Sequence, residues 1–129
     1  MSLQIYIKAI PHDKHRYETV GDYWEEEDGL QVRVSKMNDW RYEFLVVVHE
    51  LIEFYLCKKR GIKEPDIKKF DELFEAERVH GLHTDDEEPG SDKRAPYRKE
   101  HLFAEQVERT LAVALGVNWK KYSKTVMSL

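Results

Sequence analysis

The stretch from Trp40 to Arg60, WRYEFLVVVHELIEFYLCKKR, limits what this chain can become more than any other. Its apolar residues, Val46, Val47, Val48, Leu51, Ile52, Phe54 and Tyr55 among them, point in most directions around a helix, so the helix they predict is buried on most sides. Set among them are His49, Glu50 and Glu53. Carboxylates in such surroundings are destabilising unless a partner compensates them, and a metal ion is the partner this residue set suits best. The ends of the helix are marked as well. Asn38-Asp39 supplies an N-cap, Lys58, Lys59 and Arg60 complement the negative end, and Gly61 lies just beyond.

The residues before this helix read as strand. Leu3 to Ile10 alternates weakly and stops at Pro11. Arg16 to Tyr23 and Leu30 to Val34 form an expected strand pair, joined through the acidic turn Glu25-Glu26-Glu27-Asp28-Gly29. Beyond Gly61 the chain reads mainly as helix. Pro65 opens a second helix with apolar residues Ile67, Phe70, Leu73, Phe74 and Val79. Residues 80–96 are a long polar loop, of the kind that in a compact domain is functional or mobile. A third helix runs from about Pro96-Tyr97 to Leu115, its apolar face carrying Phe103, Val107, Leu111, Ala114 and Leu115. His101, Glu105 and Glu108 sit on the margin of that face. The tail, with Trp119 and Tyr122, reads as a short helix or turn. The expected fold is therefore α+β in one domain over 1–129: a small N-terminal antiparallel sheet within 1–37, then three main helices within 38–129.

Composition excludes some roles. A formal net charge of −4 with 36% charged residues gives no general attraction to nucleic acid or to anionic membranes. The single cysteine, Cys57, excludes an internal disulfide framework and fits a reducing cytoplasm. Lys8 interrupts the N-terminal apolar stretch, which does not read as a secretory signal, and the central apolar run is too short and too charged for a membrane span.

Residues i and i+4 stack on one face of a helix, so His49 and Glu53 can grip one ion from adjacent turns. Both side chains are competent zinc ligands. Glu50 is set off by about 100°, where a general base acting on water would sit. A third ligand must come from elsewhere, and the third helix offers His101 or Glu105; His101 would give two histidines and one carboxylate. The alternative without metal pairs Glu53 with Arg60 or a lysine and gives His49 a backbone hydrogen bond. His80 and His83 fall in the polar loop, Cys57 reads as a small buried hydrophobe, His12 and His15 have no evident partner, and Trp24, Trp40 and Trp119 read as core or core-edge.

The string His49-Glu50-Leu51-Ile52-Glu53, placed on a helix after a small sheet and before a second ligand helix, resembles the zincin metallopeptidases. The resemblance implies that His49 is the first zinc ligand, Glu50 the catalytic base, and the substrate a peptide. Glu53 stands where the second histidine of that family would stand; its charge lowers the Lewis acidity of a bound ion. HELIE, the PYRKEH segment and the closing LGVNW also make the whole chain look like small phage and bacterial proteins. That likeness carries no known activity; an alternative reading is a non-enzymatic phage or bacterial accessory protein in which the polar residues form a buried hydrogen-bond network. A further alternative is Mg²⁺- or Mn²⁺-dependent nucleotide pyrophosphohydrolysis, with Glu50 and Glu53 facing Glu105 and Glu108 as in the all-α enzymes of that class.

Overall fold

The computed structural model describes residues 2–129. Strands β1 (Ile5–Ile10), β2 (Gly21–Glu26) and β3 (Gly29–Ser35) come first, succeeded by helices α1 (Trp40–Arg60), α2 (Glu64–Val79), α3 (Arg98–Ala114) and α4 (Trp119–Met127). This is the expected α+β order, with the tail forming a fourth, short helix. The cleanest alternation in the sequence, LQVRV, becomes the central strand. Leu30, Val32 and Val34 of β3 are buried on the face turned to α1, while Gln31, Arg33 and Ser35 take the other face.

The sheet is not antiparallel throughout. β2 and β3 pair antiparallel as a hairpin, but β1 lies on the far side of β3 and runs parallel to it, Ile5 opposite Leu30 and Ile10 opposite Ser35. The hairpin occupies one edge of β3 and leaves the other for β1. The connection from Pro11 to Val20, including a short 3-10 turn at His12–Lys14, is long enough to return the chain across the sheet. The second strand also begins later than expected. Arg16 is held by a fork to Asp22, and Thr19 bonds the Gly21 carbonyl, so residues 16–19 bend instead of extending. Glu25 and Glu26 are strand, and the turn shrinks to Glu27-Asp28.

Helix α1 has the limits its sequence indicates. The Asp39 side chain accepts from the Arg41 N–H at 2.9 Å, and at the other end the Ile62 N–H returns to the Cys57 carbonyl. One side of α1 packs on β2 and β3, another on α3. Leu45, Val46 and Val47 join Leu30, Val32, Val34, Ala112 and Tyr122 in the main core. A second cluster, under the C-terminal end of α1, unites Cys57, Phe70, Phe74, Ala95 and Tyr97. Of the apolar face expected for α2, Phe70 and Phe74 are buried and Ile67 half-buried, while Leu73 and Val79 are 49% and 85% exposed.

The buried face of α3 differs most from expectation. It is Glu100, His101, Ala104, Glu108 and Ala112, and Phe103 is 53% exposed. Ala104 and Ala112 are almost wholly buried, and such small side chains let two helices approach closely. Polar side chains bridge the layer between α1 and α3.

Candidate metal centre

The pairings Arg60–Glu100, Glu53–His101 and His49–Glu108 run in opposite directions along α1 and α3, which are therefore antiparallel. At the middle of this contact His49 Nε2 lies 3.1 Å and His101 Nδ1 3.0 Å from the same atom, Glu53 Oε2. The three ligand atoms lie within 4.8 Å of one another. The imidazole rings meet edge to face with centroids 4.8 Å apart. Glu53 and His101 are both only 7% exposed.

The outer nitrogens are held just as firmly. His49 Nδ1 lies 2.8 Å from Glu108 Oε1, and the other oxygen of Glu108 accepts from the Tyr122 hydroxyl of α4 at 2.6 Å. His101 Nε2 lies 2.8 Å from Glu88 Oε2, in the segment between α2 and α3. The second oxygen of Glu53 accepts from the Tyr23 hydroxyl of β2 at 3.4 Å. Every ring nitrogen of both histidines thus faces a carboxylate, and the carboxylates come from α1, α3 and the 80–97 segment.

Charge is set by this geometry. Burial pulls the His49 pKa down, but its bonds to Glu108 and Glu53 outweigh that and leave it well above the ordinary imidazole value. His101 behaves alike: burial opposes the charged form, the Glu53 and Glu88 bonds favour it, and its pKa rises to about 9. Burial would raise Glu53, yet the two imidazoles hold it down at about 2. Without an ion, both shifts favour the imidazolium form, in which all four N–H groups face carboxylates.

Glu50 stands apart. Its side chain packs over Gly21, where a Cβ would come within 2.7 Å of Oε1, so a close approach to glycine backbone makes its space. It has no hydrogen-bond partner among the described residues. Burial and the nearby Glu53 charge push its pKa up to about 8. Tyr23 belongs both to the site and to a neighbouring open cleft of about 250 Å³ bordered by Phe54, Lys58, Ile62 and Ile67.

The structure therefore brings together His49, Glu53 and His101, with Glu50 beside them. It does not bring Glu105, which turns outward to Arg109 at 3.3 Å. His101 and Glu105 differ by about 40° around α3, His101 and Glu108 by about 20°, and the antiparallel docking sets Glu108 opposite His49. Arg60 is not the partner of Glu53; it forks onto Glu100 at 2.7 and 2.6 Å. Cys57 is buried in the second core cluster, where burial pushes its thiol up to about 12. His12 and His15 both reach the buried Ser35 hydroxyl, at 2.8 and 2.9 Å.

The 80–97 segment is anchored along its length. The His83 ring stacks on Phe74 at 3.8 Å and bonds Glu77 and Glu87, and Arg94 forks onto Glu77 at 2.9 and 2.6 Å. Gly90 lies against the His101 ring so closely that a Cβ there would come within 2.4 Å of Cγ. These contacts deliver Glu88, which carries no periodicity or spacing that marks it in the sequence. Comparison with protein-family models, with curated proteins and with solved structures returned no match.

Proposed function

We propose that this protein binds a divalent metal ion, zinc by the chemistry of its donors, through His49 Nε2, His101 Nδ1 and a Glu53 oxygen. The observation that carries the reading is the pairing of each outer ring nitrogen with its own carboxylate, Glu108 for His49 and Glu88 for His101. Metal-ligating histidines almost always donate their second N–H in this way, which fixes the tautomer and raises the basicity of the inner nitrogen. Two imidazoles and a carboxylate suit zinc better than Mg²⁺, which prefers an all-oxygen shell. Glu105 faces Arg109, so the four-carboxylate arrangement of the pyrophosphohydrolase alternative lacks one member.

A hydrolytic role is the second reading, and Glu50 is what favours it. An unpartnered carboxyl group whose pKa is raised to about 8 can take or give a proton near neutrality, as a general base must. When bound, the ion would supply Lewis acidity, and Glu50 would move the proton. A peptide is the substrate class that the zincin resemblance implies.

Elemental analysis of the purified chain tests the first reading. About one zinc per chain, lost on His49→Ala, supports it. Protein that stays metal-free when offered excess zinc, with His49→Ala merely less stable, would leave a buried hydrogen-bond network and sink the metal reading. For the second, Glu50→Gln should keep the zinc and lose hydrolysis; hydrolysis unchanged in that variant removes Glu50 from the chemistry.

A further inference from the structure

The outer face of the sheet, opposite α1, carries a second polar site. Tyr23 faces α1 and Glu53, so its strand neighbours Asp22 and Trp24 face the other way. In the sheet register Lys8, Arg33 and Asp22 form one row across β1, β3 and β2. The connection between β1 and β2 borders this face, and with the strands it forms an open cleft of about 270 Å³ lined by Lys8, Lys14, His15, Arg16, Arg33 and Trp24.

Asp22 is the sole acid in the lining, and both its oxygens are occupied by Arg16, Oδ2 by Nε at 2.7 Å and Oδ1 by Nη2 at 2.9 Å. Lys8, Lys14 and Arg33 have no carboxylate partner among the described residues. Arg33 bonds only neutral acceptors, the Tyr6 and Val32 carbonyls and Gln31 Oε1, which leaves N–H groups of its five unused. Arg41, Arg60, Arg78, Arg94 and Arg109 each hold an acid, while Arg98 bonds the Ser91 carbonyl. A chain of net charge −4 has gathered three uncompensated cations in one cleft. Lys8 and Arg33 are moreover directly opposite on paired strands, an arrangement that destabilises a sheet when the charges are alike.

The remaining lining is orderly. Trp24 has the Arg16 guanidinium 4.3 Å and that of Arg33 5.3 Å from its ring centroid, close enough for cation–π attraction to both. His15 Nδ1 is the only buried side-chain polar atom without a partner among the described residues. Burial and the neighbouring His12 keep the His15 pKa below the ordinary value, so this ring adds a neutral group, not a fourth charge.

We propose that this cleft binds a compact phosphate-bearing anion, such as inorganic phosphate, pyrophosphate or the phosphate of a small monoester. A guanidinium edge with two ammonium groups is a donor set matched to phosphate oxygens, and an anion between Lys8 and Arg33 turns their repulsion into attraction. A cleft of about 270 Å³ is of a size for a small ligand.

The full chain, ¹⁵N-labelled, would be titrated with phosphate and with pyrophosphate at low ionic strength, with melting temperature monitored in parallel. The expected result is saturable shifts confined to residues around Lys8, Lys14–Arg16, Asp22–Trp24 and Arg33, and a rise in melting temperature. Lys8→Gln combined with Lys14→Gln should weaken binding by at least about tenfold, since each lost charge-assisted bond is worth that order. The same double variant should melt no lower than the parent without ligand, because it removes like-charge repulsion. Arg98→Gln, which alters an arginine outside the cleft, should change nothing. No saturation at millimolar pyrophosphate, unchanged affinity in the double variant, or shifts centred on His49 and His101 would each overturn the proposal. Tighter binding of a single-stranded RNA oligomer than of pyrophosphate would replace it with recognition of a nucleic-acid backbone.

Discussion

Zinc loading of the His49–Glu53–His101 group should release two protons, and the apparent affinity should rise steeply with pH. Without an ion, His49 Nε2–H and His101 Nδ1–H both point at Glu53 Oε2. These are the two protons an ion must displace, while the outer N–H groups stay on Glu108 and Glu88. The exchange of two protons for one divalent ion leaves the charge of the site unchanged. At pH 7 a proton held at about 9 on His101 costs about 3 kcal/mol to remove, and His49 adds a further cost of the same sign. Below both pKa values the apparent affinity should therefore gain about 100-fold per pH unit. Competition against a chromophoric chelator at several pH values measures the slope. Calorimetry in buffers of different ionisation enthalpy counts the protons directly. A pH-independent affinity, or release of fewer than one proton, would refute the assignment of those inner nitrogens as ligands.

Three further outcomes are expected. Glu88→Ala should weaken zinc binding by about 10- to 100-fold and lower the His101 pKa, readable in its NMR titration, whereas Glu105→Gln should leave both unchanged. Gly90→Ala should displace the His101 ring and reduce zinc affinity, with the far-ultraviolet circular dichroism of the fold retained. The metal-free protein should lose stability as pH rises. The raised pKa values of Glu50 (about 8) and His101 (about 9) favour the folded state fully below their unfolded values and progressively less up to the folded ones. Glu53, depressed to about 2, acts oppositely and withdraws its contribution only below its unfolded value, as pH falls toward 2. Denaturant melts from pH 5 to 9 should thus show a decline that saturating zinc reduces.

Much of the candidate site is legible in the sequence, because two of its proposed ligands share one well-marked helix. The Asp39 cap, the basic end and Gly61 delimit α1, and an i, i+4 pair on a helix needs no tertiary information. His101 can be named as well, since it lies on the only other helix that carries histidine amid apolar spacing. Glu105 and Glu108 flank His101 on either side around that helix, about 60° apart, and the antiparallel docking against His49 selects Glu108. Glu88 reaches His101 because His83, Arg94 and Gly90 anchor a loop, and no sequence period records such contacts. The direction of β1 is hidden for a related reason. Two-residue alternation tells which face a side chain takes and is silent on whether neighbours run parallel. Glu25 and Glu26 resemble a turn by charge, yet a strand with one solvated face accepts acids readily.

The Tyr122 hydroxyl on Glu108 has a consequence for when the centre can exist. His49 and Glu108 are 59 positions apart, Glu53 and His101 are 48, and α4 completes the chain of contacts from further on. Partners so distant meet only when the intervening chain has been closed into loops, at an entropic cost that grows with loop length. A chain emerging from the ribosome would present His49 and Glu53 long before the groups that orient them. An ion bound in this geometry would be acquired by a finished fold, and its uptake would read out folding completed.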